Sequence, residues 1–273
     1  MVEFTQEQAL WAVEGIEFLH DATSKYFQHC GLDPTSTSKA SLELAEFERP
    51  ELIRTAYSQG NLRVEYAADH LMGFVKAYRE PAVTISPFTC IRTVIEVTAA
   101  GIWLLDNKVS ASTRVQRSIR LRLQGLNEQL KFFRSSSNHS EENEVRIKQR
   151  IAQLEPLAPD VPNPSSIGLI ASTLDQESNY RLLSSFAHGY DWAIHQLSFQ
   201  IAQDDPVHGG KLLEKSFNPT AVIFLCHIAA RAFAKLVWCK SSLFGFDLQQ
   251  LAQVHDESFA KIGLYEPSAD FWP

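Results

Sequence analysis

Polar residues between positions 180 and 195 carry the side chains needed for acid–base chemistry. The stretch contains an imidazole, His188, and a guanidinium, Arg181, seven residues before it. An imidazole titrates near neutral pH, and arginine binds phosphate through a planar fork of donors. We predict one helix over residues 177–203, because its apolar residues recur at helical spacing. At about 100° per residue, the side opposite these apolar residues carries Arg181, Ser184, Ser185, His188, Asp191 and His195.

Two interpretations of this polar face stay open. Its side chains either face water, as in most amphipathic helices, or line a partly covered site, which the large aromatic Trp192 among them favours. Helical side chains lean toward the N-terminus of their helix, so Arg181 tilts away from His188 within one chain. A site that uses both residues would therefore combine two copies of the chain.

The same stretch carries a family resemblance. Residues 180–189 read Y-x-x-L-S-x-x-x-H-G, and Arg181 and His188 within them form R-x-x-x-x-x-x-H. Together with residues 89–106, which include Arg92, Glu96 and the sequence W-L-L-D, this string resembles the HEPN-like superfamily of helical proteins. It also resembles uncharacterised helical bacterial proteins that are grouped near that superfamily.

The resemblance implies a helical bundle, often dimeric. In catalytic members it implies a metal-independent cut in RNA, by attack of a 2′-hydroxyl on the adjacent phosphate. His188 would then act as general acid or base, and Arg181 would hold the phosphate and its developing charge. Ribonuclease members commonly have a small polar residue directly after the arginine, whereas Leu182 stands here. Many members are non-catalytic interaction modules, so the resemblance supports the fold more strongly than it supports a catalytic activity.

A second polar group interrupts the apolar stretch 87–106. Arg92 and Glu96 are four residues apart in a helix that is apolar nearly all round, so we expect them to be largely buried and paired. A structural ion pair explains them. The alternative is a polar pocket in which they join His70 and His188, although His70 also fits a hydrogen-bonded histidine at the edge of the core. Residues that would support this pocket are Ser184, Asp191 and His195.

A basic segment, residues 111–134, lies within an acidic protein. Arg117, Arg120 and Lys131 fall on the side away from its leucines, where they can follow an RNA phosphate backbone. A solvated face that pairs with the acidic residues of segment 141–154 explains the same pattern.

Helix signals recur along the whole chain. Thr5-x-x-Gln8 is a capping box, Ser86-Pro87 pairs a good N-cap with proline, and Asn218-Pro219 repeats that pattern. No segment shows sustained strand alternation. The predicted helices are residues 5–30, 38–48, 51–58, 62–79, 86–106, 111–134, 141–154, 166–174, 177–203, 219–241 and 247–262.

The predicted fold class is therefore all-α. We expect one domain over residues 1–273, an irregular multi-helix bundle with a protruding antiparallel helical arm at about 111–154. A turn at residues 135–138 would reverse the chain within the arm. A connector follows the arm at residues 155–164. We expect it to be extended, because it contains four prolines.

Composition and missing motifs exclude several function classes. The net charge of −7 argues against a surface built throughout for phosphate binding. The four cysteines form no C-x-x-C pair, and the usual phosphate-loop, dinucleotide, hydrolase and zinc motifs are missing. We therefore expect no metal and no cofactor. The N-terminus lacks a signal peptide, and charged residues interrupt the apolar stretch 221–238, so we expect a cytoplasmic protein without a membrane partner.

The leading hypothesis is an HEPN-like homodimer that binds or cuts RNA in a stress or defence setting, with Arg181 and His188 as the site. The first alternative is a non-catalytic module that dimerises or docks a partner through the face bearing Trp192. The second is a small-molecule enzyme with a buried polar pocket at Arg92, Glu96 and His70.

Overall fold

The computed structural model describes residues 4–79, 84–136, 140–204, 207 and 211–263. Within them the chain forms eleven α-helices and one short β-hairpin, which confirms the all-α, multi-helix class. The helices are α1 (Gln6–Cys30), α2 (Lys39–Glu46), α3 (Pro50–Ala77), α4 (Ser86–Leu105), α5 (Ala111–Ser135), α6 (Glu141–Leu154), α7 (Ser166–Leu174), α8 (Glu177–Ala187), α9 (Asp191–Leu197), α10 (Pro219–Phe244) and α11 (Leu248–Ile262). The strands are β1 (Phe199–Asp204) and β2 (Lys211–Lys215), which pair antiparallel with an irregularity between Ile201 and Gln203.

Several helices begin where side chains cap free backbone N–H groups. The predicted capping box is confirmed, since Thr5 Oγ1 accepts from Gln8 N–H at 3.2 Å and Gln8 Oε1 accepts from Thr5 N–H at 2.8 Å. Asn218 caps α10 as predicted. Ser86 is not the N-cap of α4, because the helix already begins with this residue and Ile85 precedes it without a side-chain cap. These caps satisfy donors that a helix end leaves unpaired.

The break predicted between residues 58 and 62 is wrong, because α3 is continuous. Gly60 lies inside this helix, where it lets α4 approach closely. A Cβ atom at this position would lie within 2.5–3.0 Å of three side-chain carbons of Leu105. Tertiary packing therefore outweighs the low helix propensity of glycine here.

Helix α4 lies at the centre of the bundle and packs against α3, α5, α7, α8 and α10. Ile91, Val94 and Ile95 along it are fully buried. On the far side of α10, helices α1 and α11 pack against it and against each other. Burying one such side chain contributes about 1.5–3 kcal/mol, so the packing around α4 and α10 stabilises the bundle.

The single helix predicted over residues 177–203 is wrong. The chain instead forms α8, a tight turn at His188 and Gly189, the short helix α9, and then strand β1. The expectation that the chain has no strand is also wrong for this segment. The polar residues that were predicted to share one face of a continuous helix therefore belong to different elements.

Helices α5 and α6 pack against each other as the predicted antiparallel pair. Residues 137–139 of the turn between them lie outside the described residues. The carboxylate of Glu144 on α6 binds Arg134 of α5 at 2.7 Å and Lys148 of its own helix at 2.6 Å. These contacts lower the pKa of Glu144 to about 2, chiefly through the hydrogen bond from Arg134.

The proline-rich connector packs against α5. Arg120 donates hydrogen bonds to the carbonyl oxygens of Val161, at 2.6 Å, and Ala158. The side-chain amide of Gln116 donates to the Asp160 carboxylate and accepts from the Asp160 N–H. Ala158 is fully buried, so the connector is part of the packed structure rather than a solvated linker. The single-domain organisation stays a prediction.

Two helices, α4 and α10, are long and apolar enough to cross a membrane by length and composition alone. In the bundle, 56% of the most apolar window of α4 and 67% of that of α10 are buried. The core helix of a soluble protein has the same properties, so this observation does not assign a location. The cytoplasmic location and the absence of a membrane partner stay predictions.

Candidate functional site

His188 ends helix α8 in a Schellman turn. Tyr190 N–H donates to the carbonyl oxygen of Ser185 at 2.9 Å, Gly189 N–H donates to that of Phe186 at 3.1 Å, and Gly189 has a φ of +69°. This hydrogen-bond pair with a left-handed glycine is the usual helix C-terminus that glycine makes possible. The imidazole of His188 is therefore held on a defined turn and is exposed to solvent.

Exposed aromatic rings come directly after His188. Its imidazole lies 5.8 Å from the ring of Tyr190, centroid to centroid, with 36° between the two planes. Tyr190 is 54% exposed and Trp192, on the first turn of α9, is 52% exposed. A solvent-exposed imidazole next to the half-exposed Tyr190 ring, with Trp192 following on α9, combines a group that can transfer protons with flat surfaces on which a base can stack.

Arg181 points away from His188, as the sequence predicted. Its Nε and Nη2 atoms donate to Glu177 Oε1 at 2.9 and 2.7 Å, one turn toward the start of α8. Seven residues of helix rise about 10 Å, so the two predicted catalytic groups do not meet within one chain. The ion pair is exposed, so it contributes little to stability and can exchange for another anion.

The remaining residues predicted on this face are separated. Asp191 and His195 lie at the two ends of α9 and are exposed. Ser184 lies on α8, and its hydroxyl oxygen is buried without a hydrogen-bond partner among the described residues. The predicted common polar face therefore extends no further than the turn at His188.

Arg92 and Glu96 form the predicted ion pair, at 3.1 Å between Arg92 Nη2 and Glu96 Oε1. Both side chains are about one-quarter exposed. Tyr180 completes the group, since its hydroxyl donates to Glu96 Oε1 at 2.5 Å and accepts from Arg92 Nη2 at 3.4 Å. Burial alone would lower the pKa of Arg92, but Tyr180 and Glu96 outweigh burial and raise it. The triad ties α8 to α4.

The phenol Tyr180 is the member that the sequence interpretation missed. It stands first in the string that carries the resemblance, but the sequence pattern alone gives it no role. Along α8, Gln176, Tyr180, Ser184 and His188 recur at every fourth residue and so lie on one side. Gln176 Oε1, Ser184 Oγ and Arg92 Nε are all buried without a partner among the described residues. The seam between α4 and α8 thus combines these polar groups with an apolar contact, since the rings of Phe88 and Phe186 stack at 3.7 Å between centroids.

His70 makes no hydrogen bond or ion pair with this seam in the described part of the chain. It is half-buried on α3, which fits a position at the edge of the core. A cavity of about 410 Å³ does open beside Glu96 and Arg63, between α3, α4, α5 and α7. Neither His70 nor Arg92 lines it. The three residues of the predicted small-molecule pocket are therefore not brought together.

The basic residues of α5 have intramolecular partners. Arg117 donates to the carbonyl of Trp103 at 2.6 Å and lies 3.6 Å from the Asp106 carboxylate, Arg120 binds the connector, and Lys131 binds Glu128 at 2.7 Å. The expectation that all three face solvent is wrong for the two arginines, which are part-buried. Their RNA-binding role stays a prediction, with Lys131 the most exposed of the three.

Within the described ranges, no three His, Cys, Asp or Glu side chains converge in a way that could hold a metal ion. The described chain thus presents an all-α bundle with an exposed histidine turn at one helix end and a polar seam behind it. No family model, no curated protein and no solved structure matches the sequence or the fold. The HEPN-like assignment accordingly stays a prediction from the residues themselves.

Proposed function

We propose that the chain is an HEPN-like protein that binds RNA and cuts it without a metal ion. The observation that carries this proposal is the exposed His188, which lies on a Schellman turn with its imidazole 5.8 Å from the half-exposed ring of Tyr190. A second half-exposed aromatic, Trp192, follows on the first turn of α9. Aromatic rings stack on unpaired bases for about 1–3 kcal/mol per base, without sequence preference. A single-stranded RNA bound in this way carries its phosphates past the imidazole.

The proposed reaction uses only groups of the RNA and of the protein. A base removes the proton of a 2′-hydroxyl, whose oxygen attacks the adjacent phosphorus while the bond to the 5′-oxygen breaks. His188 takes the first proton or gives one to the departing oxygen. The products are a 2′,3′-cyclic phosphate and a free 5′-hydroxyl.

Arg181 supplies the phosphate contact from a second copy. Within one chain it points toward Glu177, about 10 Å of helix away from His188. In a symmetric dimer, Arg181 of one copy can face His188 of the other, which gives two equivalent composite sites. The phosphate then replaces the Glu177 carboxylate, and the guanidinium stabilises charge that builds up on the phosphate oxygens.

The test compares wild type, His188→Ala and His29→Ala on a mixture of structured and single-stranded RNA with a metal chelator. His29 is an exposed histidine of α1 outside the site, so its variant controls for losing a surface imidazole. We expect fragments with cyclic-phosphate ends from wild type and His29→Ala but not from His188→Ala. Intact RNA with all three folded proteins would reject cleavage, and equal cleavage by all three would reject the site.

The second candidate is a non-catalytic dimer that uses the same aromatic surface. It is favoured by the half-exposed Trp192 and Tyr190, since large exposed aromatics mark association surfaces. Under this alternative, Trp192→Ala shifts the dimer toward monomer, as measured by light scattering after size exclusion. His188→Ala then leaves assembly unchanged, and neither wild type nor this variant cuts RNA. A Trp192→Ala protein with unchanged mass would argue against it.

A further inference from the structure

A second cavity, of about 380 Å³, opens on the other side of the bundle. It lies between the C-terminal end of α4, the loop after that helix, and helices α5, α7 and α10. Its volume falls in the range of roughly 300–1,000 Å³ that is typical of small-molecule sites. It shares no residue with the surface at His188, so a ligand in this cavity is independent of the proposed function.

The cavity is positively charged within an acidic protein. Lys108, Arg117 and Lys235 line it, and Asp106 is the one carboxylate among its lining residues. Asp106 lies 3.6 Å from Arg117, whereas neither lysine forms an ion pair within the part of the chain that the structure describes. Two ammonium groups are therefore available to an anion. Lys235 is one of the charges that interrupt the apolar stretch of α10.

Two tryptophans, Trp103 and Trp238, also line the cavity. Arg117 holds one of them in place, since its guanidinium lies 5.1 Å from the Trp103 ring and donates to the Trp103 carbonyl oxygen at 2.6 Å. A guanidinium has five N–H donors, so others remain for a ligand. Flat rings beside cations are suited to an aromatic group that carries a negative charge.

The cysteine of the cavity does not add a nucleophile. Burial raises the pKa of the Cys239 thiol to about 11, although Lys235 opposes the rise. The thiolate is the reactive form, so this sulfur stays protonated at neutral pH. The cavity is accordingly equipped for binding rather than for covalent chemistry.

We propose that this cavity binds a small aromatic anion, such as an aryl carboxylate, sulfonate or phosphate monoester. The anionic group lies between Lys108 and Lys235, and the ring packs against Trp103 and Trp238. Apolar walls with a few placed charges are the usual construction of small-ligand sites. The protein would thus carry a ligand site separate from its surface for RNA.

The probe for the test is 8-anilinonaphthalene-1-sulfonate, which is an aromatic anion and fluoresces when shielded from water. Its uncharged counterpart, N-phenyl-1-naphthylamine, controls for apolar binding alone. Titrations use the full chain, Lys108→Gln/Lys235→Gln, and Lys25→Gln. Lys25 is an exposed lysine of α1, so its variant controls for the change in overall charge. Melting curves establish that all variants are folded.

We expect one sulfonate probe per chain and an affinity that falls at least tenfold in the double variant, because the sulfonate then loses the charge-assisted hydrogen bonds of both lysines. Lys25→Gln should bind as wild type does, and the uncharged probe should bind more weakly. The proposal is overturned if the sulfonate does not bind, if the double variant binds it equally well, or if the uncharged probe binds as tightly.

Discussion

Replacing Arg114 by methionine should strongly destabilise the fold, because it leaves a buried carboxylate without its partner. Arg114 is fully buried, and its guanidinium binds Glu43 through Nε at 3.0 Å and Nη2 at 3.3 Å. Nη1 donates to the carbonyl of Leu104 at 2.5 Å. The side chain therefore joins α2, α4 and α5, and Glu43 is only 8% exposed.

The expected loss of stability arises from the charge that the substitution leaves behind. Removing one member of a buried ion pair typically costs about 3–5 kcal/mol, because the other charge stays buried without its partner. Glu43 would keep the hydroxyl of Tyr57 at 2.5 Å and Lys39 at 3.9 Å. These partners compensate in part, so we expect the lower end, about 3 kcal/mol. In Glu43→Met/Arg114→Met no charge of this pair remains, and stability should recover to within about 1–2 kcal/mol of wild type.

Urea unfolding, monitored by far-ultraviolet circular dichroism, measures these differences. Arg122→Met is the matched control, since this arginine is exposed on the same helix and should change stability by no more than about 0.5 kcal/mol. A loss below about 1 kcal/mol for Arg114→Met would show that the buried pair does not hold the three helices together. A double variant Glu43→Met/Arg114→Met that is less stable than Arg114→Met would contradict the reasoning in the same way, because removing the unpaired charge should restore stability.

Three further outcomes are expected. Gly15→Ala should destabilise the fold by about 1 kcal/mol, because the added Cβ would lie 3.0 Å from the backbone nitrogen of Ile262. Gly125→Ala has open space around it and should stabilise α5 by roughly 0.5–1 kcal/mol. Thermal melts should therefore show a lower melting temperature for the first variant and a higher one for the second. Burial lowers the pKa of His255 to about 3, so below about pH 6.5 the unfolded chain binds a proton at this residue and the folded chain does not. The free energy of unfolding should therefore fall by about 1.4 kcal/mol between pH 7.5 and pH 5.5. Urea unfolding of His255→Gln should not show this loss. Tyr180→Phe should cost about 1–2 kcal/mol, since Glu96 then keeps only Arg92, and an unchanged melting curve would contradict a stabilising role for the phenol.

Local signals in the sequence were enough for most helices. The caps at Thr5 and Asn218 and the proline-marked starts are each decided within one helical turn, so they can be read from neighbouring residues. The pairing of Arg92 with Glu96 is also local, because four residues bring two side chains together on any helix.

The errors arise where distant contacts decide. Gly60 looks like a helix breaker until Leu105, on another helix, is seen to occupy the space above it. Arg114 looks like one of several surface arginines, since its partner Glu43 lies 71 residues away. The end of α8 is a different case. Gly189 directly after His188 is a local C-cap signal that could have been read, and it would have separated Asp191 and His195 from the site.

The composite site across a dimer is the most specific feature proposed for this protein, and a mixture of two inactive variants tests it. Arg181→Ala and His188→Ala are refolded together so that subunits exchange at random, and metal-independent RNA cleavage is measured. Half of the dimers then contain both chains, and each of these has one intact site, with Arg181 from one copy and His188 from the other. We predict about one-quarter of the wild-type activity from the mixture and none from either variant alone. A mixture as inactive as its parents would contradict the composite site.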